Sequence, residues 1–142
     1  MSKVIIYTDG ASKGNPGLGG YGAILMYNEH KKEIKGAVPD TTNNKMELTA
    51  VIEALKQIKF ECSIDIYTDS QYVQRGMTEW ITGWKKKNWN KVKNIELWQE
   101  LDSLASSHKV TWNWVKAHNG DPLNERADEL ANIAIEEYLA KR

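Results

Sequence analysis

Residues 4–10 read VIIYTDG, and residues 64–70 read IDIYTDS. In each, a short apolar, β-rich run stops at an acid followed by a turn former: Asp9-Gly10 in one, Asp69-Ser70 in the other. Such runs read as buried strands that end at a turn. If the two strands are parallel neighbours, both acids lie at one sheet edge, beyond the strand C-termini. That is where open α/β sheets bind ligands.

The rest of the chain arranges itself around these segments. Residues 11–22, ASKGNPGLGGYG, hold five glycines and a proline and read as a loop. Tyr21 to Tyr27 reads as a second strand, Asn28 to Lys32 as a polar turn, and Glu33 to Val38 as a weaker third strand. Their close spacing predicts an antiparallel meander. Leu48, Val51, Leu55 and Ile58 recur at helical spacing, which predicts a helix from Asn44 to Lys59 capped by Asn43 or Asn44. Asp69 or Ser70 caps a short helix running toward Gly76. A Trp-rich helical stretch follows over 78–89, then a helix from Ile95 to Ala105. Val110 to Val115 alternates as a strand. After a loop from His118 to Leu123, a last helix spans Asn124 to Leu139, with Ala127, Leu130, Ala134 and Tyr138 on one face. This order predicts a mixed α/β (α+β) domain, a five-stranded mixed sheet with helices on both faces.

The 142 residues are one domain's worth, so residues 1–142 are expected to form a single domain. With 41% hydrophobic and 27% charged residues, disorder is excluded as a description of the whole. Nineteen basic and nineteen acidic residues cancel, which excludes a uniformly basic nucleic-acid coat but leaves room for a local patch. Cys62 is the lone cysteine, so no intrachain disulfide forms, which suits a reducing compartment. No signal peptide or membrane-spanning run is read, and a cytoplasmic monomer is expected.

Glu47, in the first turns of the long helix, and Asp128, early in the last, could reach the spot marked by Asp9 and Asp69. Taken singly, each acid has an ordinary explanation: turn opener, helix cap, first-turn acid, solvated surface group. His118 alone is a loop residue. Together the acids mean more. Four carboxylates in one cleft repel one another and call for cations. A site of carboxylates without cysteine suits Mg²⁺. Two such ions can activate a water and stabilise the leaving oxygen of a displacement at phosphorus, so the residues point to metal-dependent phosphodiester hydrolysis.

TDGASKGNPGLGGYG, TNNKMEL, YTDSQYV and HNGDPLNERADELA occur in this order. Over essentially the whole chain they resemble type 1 ribonuclease H in its bacterial-like form. The resemblance implies a ribonuclease H-like fold. It also implies an endonuclease that cuts the RNA strand of RNA–DNA hybrids with two Mg²⁺ ions, which Mn²⁺ can replace, leaving 5′-phosphate and 3′-hydroxyl ends. Asp9, Glu47, Asp69 and Asp128 fall on the family's metal-binding acids, with Asp9 bridging both ions, and His118 falls on its mobile-loop histidine, a proton carrier. Asn15, Asn43 and Gln71 fall where the minor groove and its 2′-hydroxyls are read, and Thr42 on a DNA-strand phosphate contact. Two departures stand out. Ala117 occupies a position where glycine is common, and the basic insertion is short.

That insertion carries Lys85, Lys86, Lys87, Lys91 and Lys93 between residues 83 and 95 without an acid, interleaved with Trp84 and Trp89 and preceded by Trp80. Lysines neutralise phosphates and aromatic faces pack on sugars or bases, so Trp80, Lys85, Lys86 and Lys87 are expected to touch the substrate. The alternative for Trp80 and Trp84 is burial in the core. Trp98, Trp112 and Trp114 read as packing residues. Two other readings compete: a binding module that kept this fold without its chemistry, which the intact acids oppose, and another nuclease or transposase of the same fold.

Overall fold

The computed structural model describes residues 3–141. Its sheet has five strands: β1 (Lys3–Ser12), β2 (Gly17–Tyr27), β3 (His30–Thr41), β4 (Ser63–Thr68) and β5 (Lys109–Trp114). Their order is β3-β2-β1-β4-β5. β1 and β2, and β2 and β3, pair antiparallel, as the expected meander requires. β1 pairs parallel with β4, and β4 with β5. The parallel register of β1 and β4 ends at Thr8 opposite Thr68, so Asp9 and Asp69 are the residues that directly follow the last pair.

The helices are α1 (Asn43–Lys56), α2 (Gln71–Arg75), α3 (Ile81–Lys86), α4 (Ile95–Ala105) and α5 (Pro122–Ala140). A π-helical turn over Gly76–Trp80 joins α2 to α3. Successive residues of a strand face opposite sides of the sheet. A Cβ on Gly19 would meet the Met46 side chain of α1 at 2.8 Å, and one on Gly20 the Ala131 carbonyl of α5 at 2.3 Å. The two helices therefore cover opposite faces. Between α1, α4 and the sheet lies the main core, built of Val4, Ile6, Ile64 and Ile66, the α1 residues Leu48, Val51, Ile52 and Leu55, and Trp98 and Leu101 of α4.

Several boundaries differ from the sequence reading, each for a local reason. Most of the glycine-rich segment is strand, and only residues 13–16 lie between β1 and β2. Gly10, Ala11 and Ser12 pair with Tyr21, Gly20 and Gly19, because small residues are what this ladder needs under two closely packed helices. The turn before β3 shrinks to Asn28 and Glu29, with Asn28 at φ 54 supplying a left-handed residue, and β3 runs on to Thr41. The α1 cap is Thr42 rather than Asn43 or Asn44. Its hydroxyl accepts from the Lys45 N–H, and the helix stops at Lys56, short of Lys59. Ser70 caps α2, accepting from the Val73 N–H at 3.1 Å. α5 begins at Pro122, earlier than Asn124, because Asp121 accepts from the N–H groups of Leu123 and Asn124 and proline suits the first helical position.

Candidate active site

Two close approaches bring the acids together. A Cβ on Gly10 would lie 2.4 Å from the Met46 carbonyl carbon and 2.6 Å from the Glu47 nitrogen. Only a residue without a side chain lets α1 lie this near the end of β1, and it is this contact that carries Glu47 to Asp9. On the other face, Asp9 pairs with Gly22, and a Cβ there would meet the Ala127 carbonyl of α5 at 2.6 Å. Asp128 is the next residue. The register of β1 with β4 supplies Asp69.

Asp9, Glu47 and Asp69 each offer an oxygen, and these oxygens all lie within 4.8 Å of one another. Asp128, on α5, bears on Asp9 through its charge. Asp9 is buried, at 6% exposure. Burial, then the charges of Asp69 and Asp128, push its carboxyl up to about 8, against the pull of the Gly10 N–H that donates to its Oδ1 at 2.8 Å. Burial first, and then the charges of Asp9 and Asp69, raise Glu47 well above the usual carboxylate range. The buried Oε1 of Glu47 has no donor. Its acidic neighbours are themselves acceptors, so either a proton or a cation must satisfy it. This donor set of hard oxygens, short of positive charge, fits divalent ions.

Two further residues, silent in the sequence reading, hold the acids. Asn124, 2% exposed, donates from Nδ2 to Asp69 Oδ2 at 3.3 Å. Asn132 donates from Nδ2 to the Asp128 carbonyl at 3.0 Å and to its Oδ1 at 3.4 Å. Asn124, Asp128 and Asn132 are spaced by four, one face of α5, and that spacing was the signal available. Trp114 corrects the packing expectation: it is 44% exposed, and its indole N–H donates to the Asp69 carbonyl at 3.0 Å.

The other expected residues are spread over several elements. His118 lies exposed in the loop between β5 and α5, at φ 55. Gln71 is the exposed first residue of α2, two places after Asp69. Asn15, Thr42 and Asn43 share a surface cavity of about 350 Å³ with Asn44, Lys45, Lys93 and Asn94. Asn43 Oδ1 also accepts from the Ser12 N–H at 2.7 Å, tying α1 to the end of β1. Trp80 is half-buried: Trp84 lies 5.9 Å away, centroid to centroid, and the Arg75 guanidinium sits 5.5 Å over its ring. Lys85 forms an ion pair at 2.8 Å with Asp102 of α4, a partner the local sequence does not contain, whereas Lys86 and Lys87 are exposed.

The family model for RNase H matches residues 1–136. The chain belongs to the RNase H family. It is 58% identical to a ribonuclease H of Cupriavidus pinatubonensis (strain JMP 134 / LMG 1197), over 95% of this chain and 97% of that protein. Against a ribonuclease H of Hahella chejuensis (strain KCTC 2396) it is 56% identical, over 99% of each. Among solved structures it resembles LC9-RNase H1, a type 1 RNase H with the type 2 active-site motif, with TM-score 0.89 and 32% identity over 96% of this chain and 74% of that one. It also resembles LC11-RNase H1 in complex with RNA/DNA hybrid, with TM-score 0.74 and 26% identity over 96% and 99% of the two chains. The fold is thus the RNase H fold, and the chain is an enzyme of the ribonuclease H class. Among the described residues, no helix is long and apolar enough to cross a membrane.

Proposed function

We propose that this RNase H cuts the RNA strand of RNA–DNA hybrids internally, using two Mg²⁺ ions and leaving 5′-phosphate and 3′-hydroxyl ends. The observation that carries the reading is the trio of carboxylates within 4.8 Å, one buried oxygen of which has no donor. Glu47 and Asp69 would hold one ion, Asp128 the other, with Asp9 shared between them. When bound, such ions activate a water and stabilise the leaving oxygen of an in-line displacement at phosphorus.

The chain's own residues do the rest. Asn124 fixes the Asp69 carboxylate and Asn132 that of Asp128, so neither has to be ordered when the substrate arrives. The His118 imidazole, in an exposed loop, takes up a proton at a ring nitrogen and releases it as product leaves. Asn15, Asn43 and Gln71 present amides that both donate and accept, as a 2′-hydroxyl in the wide minor groove requires. Thr42, in the cavity that also holds Lys45 and Lys93, takes a DNA-strand phosphate. Trp80, Lys85, Lys86 and Lys87 lie along the path of the hybrid. We read residues 1–142 as one domain, working as a cytoplasmic monomer.

The test is strand-resolved cleavage of a uniform RNA–DNA hybrid with and without Mg²⁺, next to duplex DNA, duplex RNA and a hybrid with 2′-methoxy groups at the cut site. Only the RNA strand of the unmodified hybrid should be cut, and only with the ion. The methoxy groups leave polar side chains unpaired, which typically costs about 1–3 kcal/mol per lost pairing. Equal cutting of blocked and unblocked hybrids removes the hydroxyl-reading role, and cutting of duplex DNA points to a less selective nuclease.

A further inference from the structure

Lys13 sits in the turn of residues 13–16, between β1 and β2, and its place is fixed from three sides. Its backbone N–H donates to the Leu18 carbonyl at 2.7 Å, and the neighbouring Ser12 N–H is held by Asn43. Its side chain crosses to α5, where Nζ donates to Asn132 Oδ1 at 3.2 Å. The same Asn132 amide donates from its other end to Asp128 Oδ1 at 3.4 Å. Packing brings these residues together: α5 lies against Gly20, whose missing Cβ leaves room for the Ala131 carbonyl beside Asn132.

A lysine this near a group of carboxylates would ordinarily collapse onto one of them. It would then neutralise charge that a cation needs and spend its own charge on the pair. Here a neutral amide stands between. Its oxygen faces the ammonium and its NH₂ faces the carboxylate, the one orientation in which both ends are satisfied. Asp128 has no ion-pair partner among the described residues. The exposed Lys13, which has no ion-pair partner among the described residues, keeps its positive charge at the rim of the acid cluster.

We propose that Asn132 is a positioning residue that orients Asp128 and holds Lys13 away from it, and that Lys13 contacts a backbone phosphate of the nucleic-acid strand lying next to the acids. This rests on the proposed nucleic-acid substrate. The amide makes one arrangement serve two opposite demands, a negative site for cations and a positive rim for phosphate.

The test uses Lys13→Ala, Lys13→Arg, Asn132→Ala and the double alanine variant of the full chain. Substrate affinity is read on an RNA–DNA hybrid without divalent ions, across a salt series. Cation binding is read as the Mg²⁺ concentration that half-saturates the thermal stabilisation. Lys13→Ala should raise KM about three- to tenfold, the scale of one charge contact, with kcat changed less than about twofold. It should also flatten the slope of log affinity against log salt by about 0.9 or less. Lys13→Arg should restore both. Asn132→Ala should shift the Mg²⁺ midpoint upward, because Asp128 loses its clamp and Lys13 is free to reach it. Adding Lys13→Ala to that variant should recover part of the shift. An unchanged salt slope in Lys13→Ala overturns the phosphate contact. A double variant no better than Asn132→Ala in Mg²⁺ binding overturns the spacer role. If the unaltered protein itself neither binds nor cuts the hybrid, the failure lies in the proposed substrate and not in the Lys13–Asn132 pair.

Discussion

Replacing Asp9 by asparagine sets catalysis against stability, and the structure gives the sign of each. The Asp9 carboxyl is pushed from 3.8 up to about 8, chiefly by burial. Between those values the folded protein holds a proton that the unfolded chain has released, so stability must fall as pH rises through the window. Every tenfold gain in proton affinity on folding corresponds to about 1.4 kcal/mol, which puts a ceiling of roughly 5–6 kcal/mol on the loss. Sharing of the proton among the neighbouring acids brings the expected figure to about 2–4 kcal/mol. Asparagine removes the charge yet keeps a side-chain oxygen for the Gly10 N–H, so little else changes. The assay is urea unfolding at pH 5 and pH 8.5 with a chelator present. The unaltered protein should lose stability between the two. Asp9→Asn should lose less, with a residual slope from Glu47, which its own burial still holds high, and should be more stable at pH 8.5 by about 2–4 kcal/mol. Saturating Mg²⁺ should stabilise the unaltered protein far more than the variant, since binding to the folded state adds RT ln(1 + [L]/Kd). Cleavage by the variant should be abolished. A variant less stable than its parent at pH 8.5 without ions, or one with the parent's pH slope, refutes the account of a site strained by its own charge.

Other outcomes follow from the same geometry. Gly10→Ala places a methyl group 2.4 Å from the Met46 carbonyl carbon, so α1 must shift. We expect a loss of about 1–3 kcal/mol by overpacking and a weaker Mg²⁺-induced rise in Tm, both read by thermal melts. His118→Ala should lower kcat by about 10²–10⁴-fold with hybrid affinity nearly unchanged; collapse of affinity with kcat intact would make it a binding residue. Changing Lys86 and Lys87 together to alanine should flatten the salt slope of hybrid binding by about 0.9 or less for each contact, without altering which strand is cut. Lys85→Ala should flatten it less, because that ammonium already answers Asp102.

Much of this was legible in the sequence because the two strand-end acids announce themselves. A run of apolar residues that stops at an acid fixes a strand, its end and a functional group at once, and Asp9 and Asp69 prove to follow the last parallel pair. The meander and the buried face of α5 were legible for the same reason: local pattern and tertiary role coincide there, and the α2 cap was narrowed to Asp69 or Ser70. Where they part, the reading failed. Glycines between Gly10 and Gly22 look like loop because sequence records their flexibility and not the helices pressed against them. Thr42 and Asn43 are both good caps, and only the chain path chooses between them. Asn124 and Asn132 are ordinary helix residues until their partners, 55 residues away for one and four for the other, are in place. Lys85 read as part of a free basic patch because Asp102 arrives from another helix.

The aromatic side chains beneath the basic segment form a chain of touching rings. Tyr72 lies 5.1 Å from Trp98, Trp98 5.0 Å from Trp84, and Trp84 6.2 Å from Trp89 and 5.9 Å from Trp80, centroid to centroid. Indoles this close couple their strong transitions, so the cluster should give an exciton couplet in far-ultraviolet circular dichroism that isolated tryptophans lack. Trp98 is fixed, fully buried and hydrogen-bonded through its Nε1 to the Tyr72 hydroxyl at 3.0 Å, while Trp89 rides on the lysine-bearing turn. The protein therefore carries its own optical ruler. A change in the spacing of Trp84 and Trp89 as a polyanion settles on the lysines would appear as a change in that couplet, with no dye attached and no residue replaced.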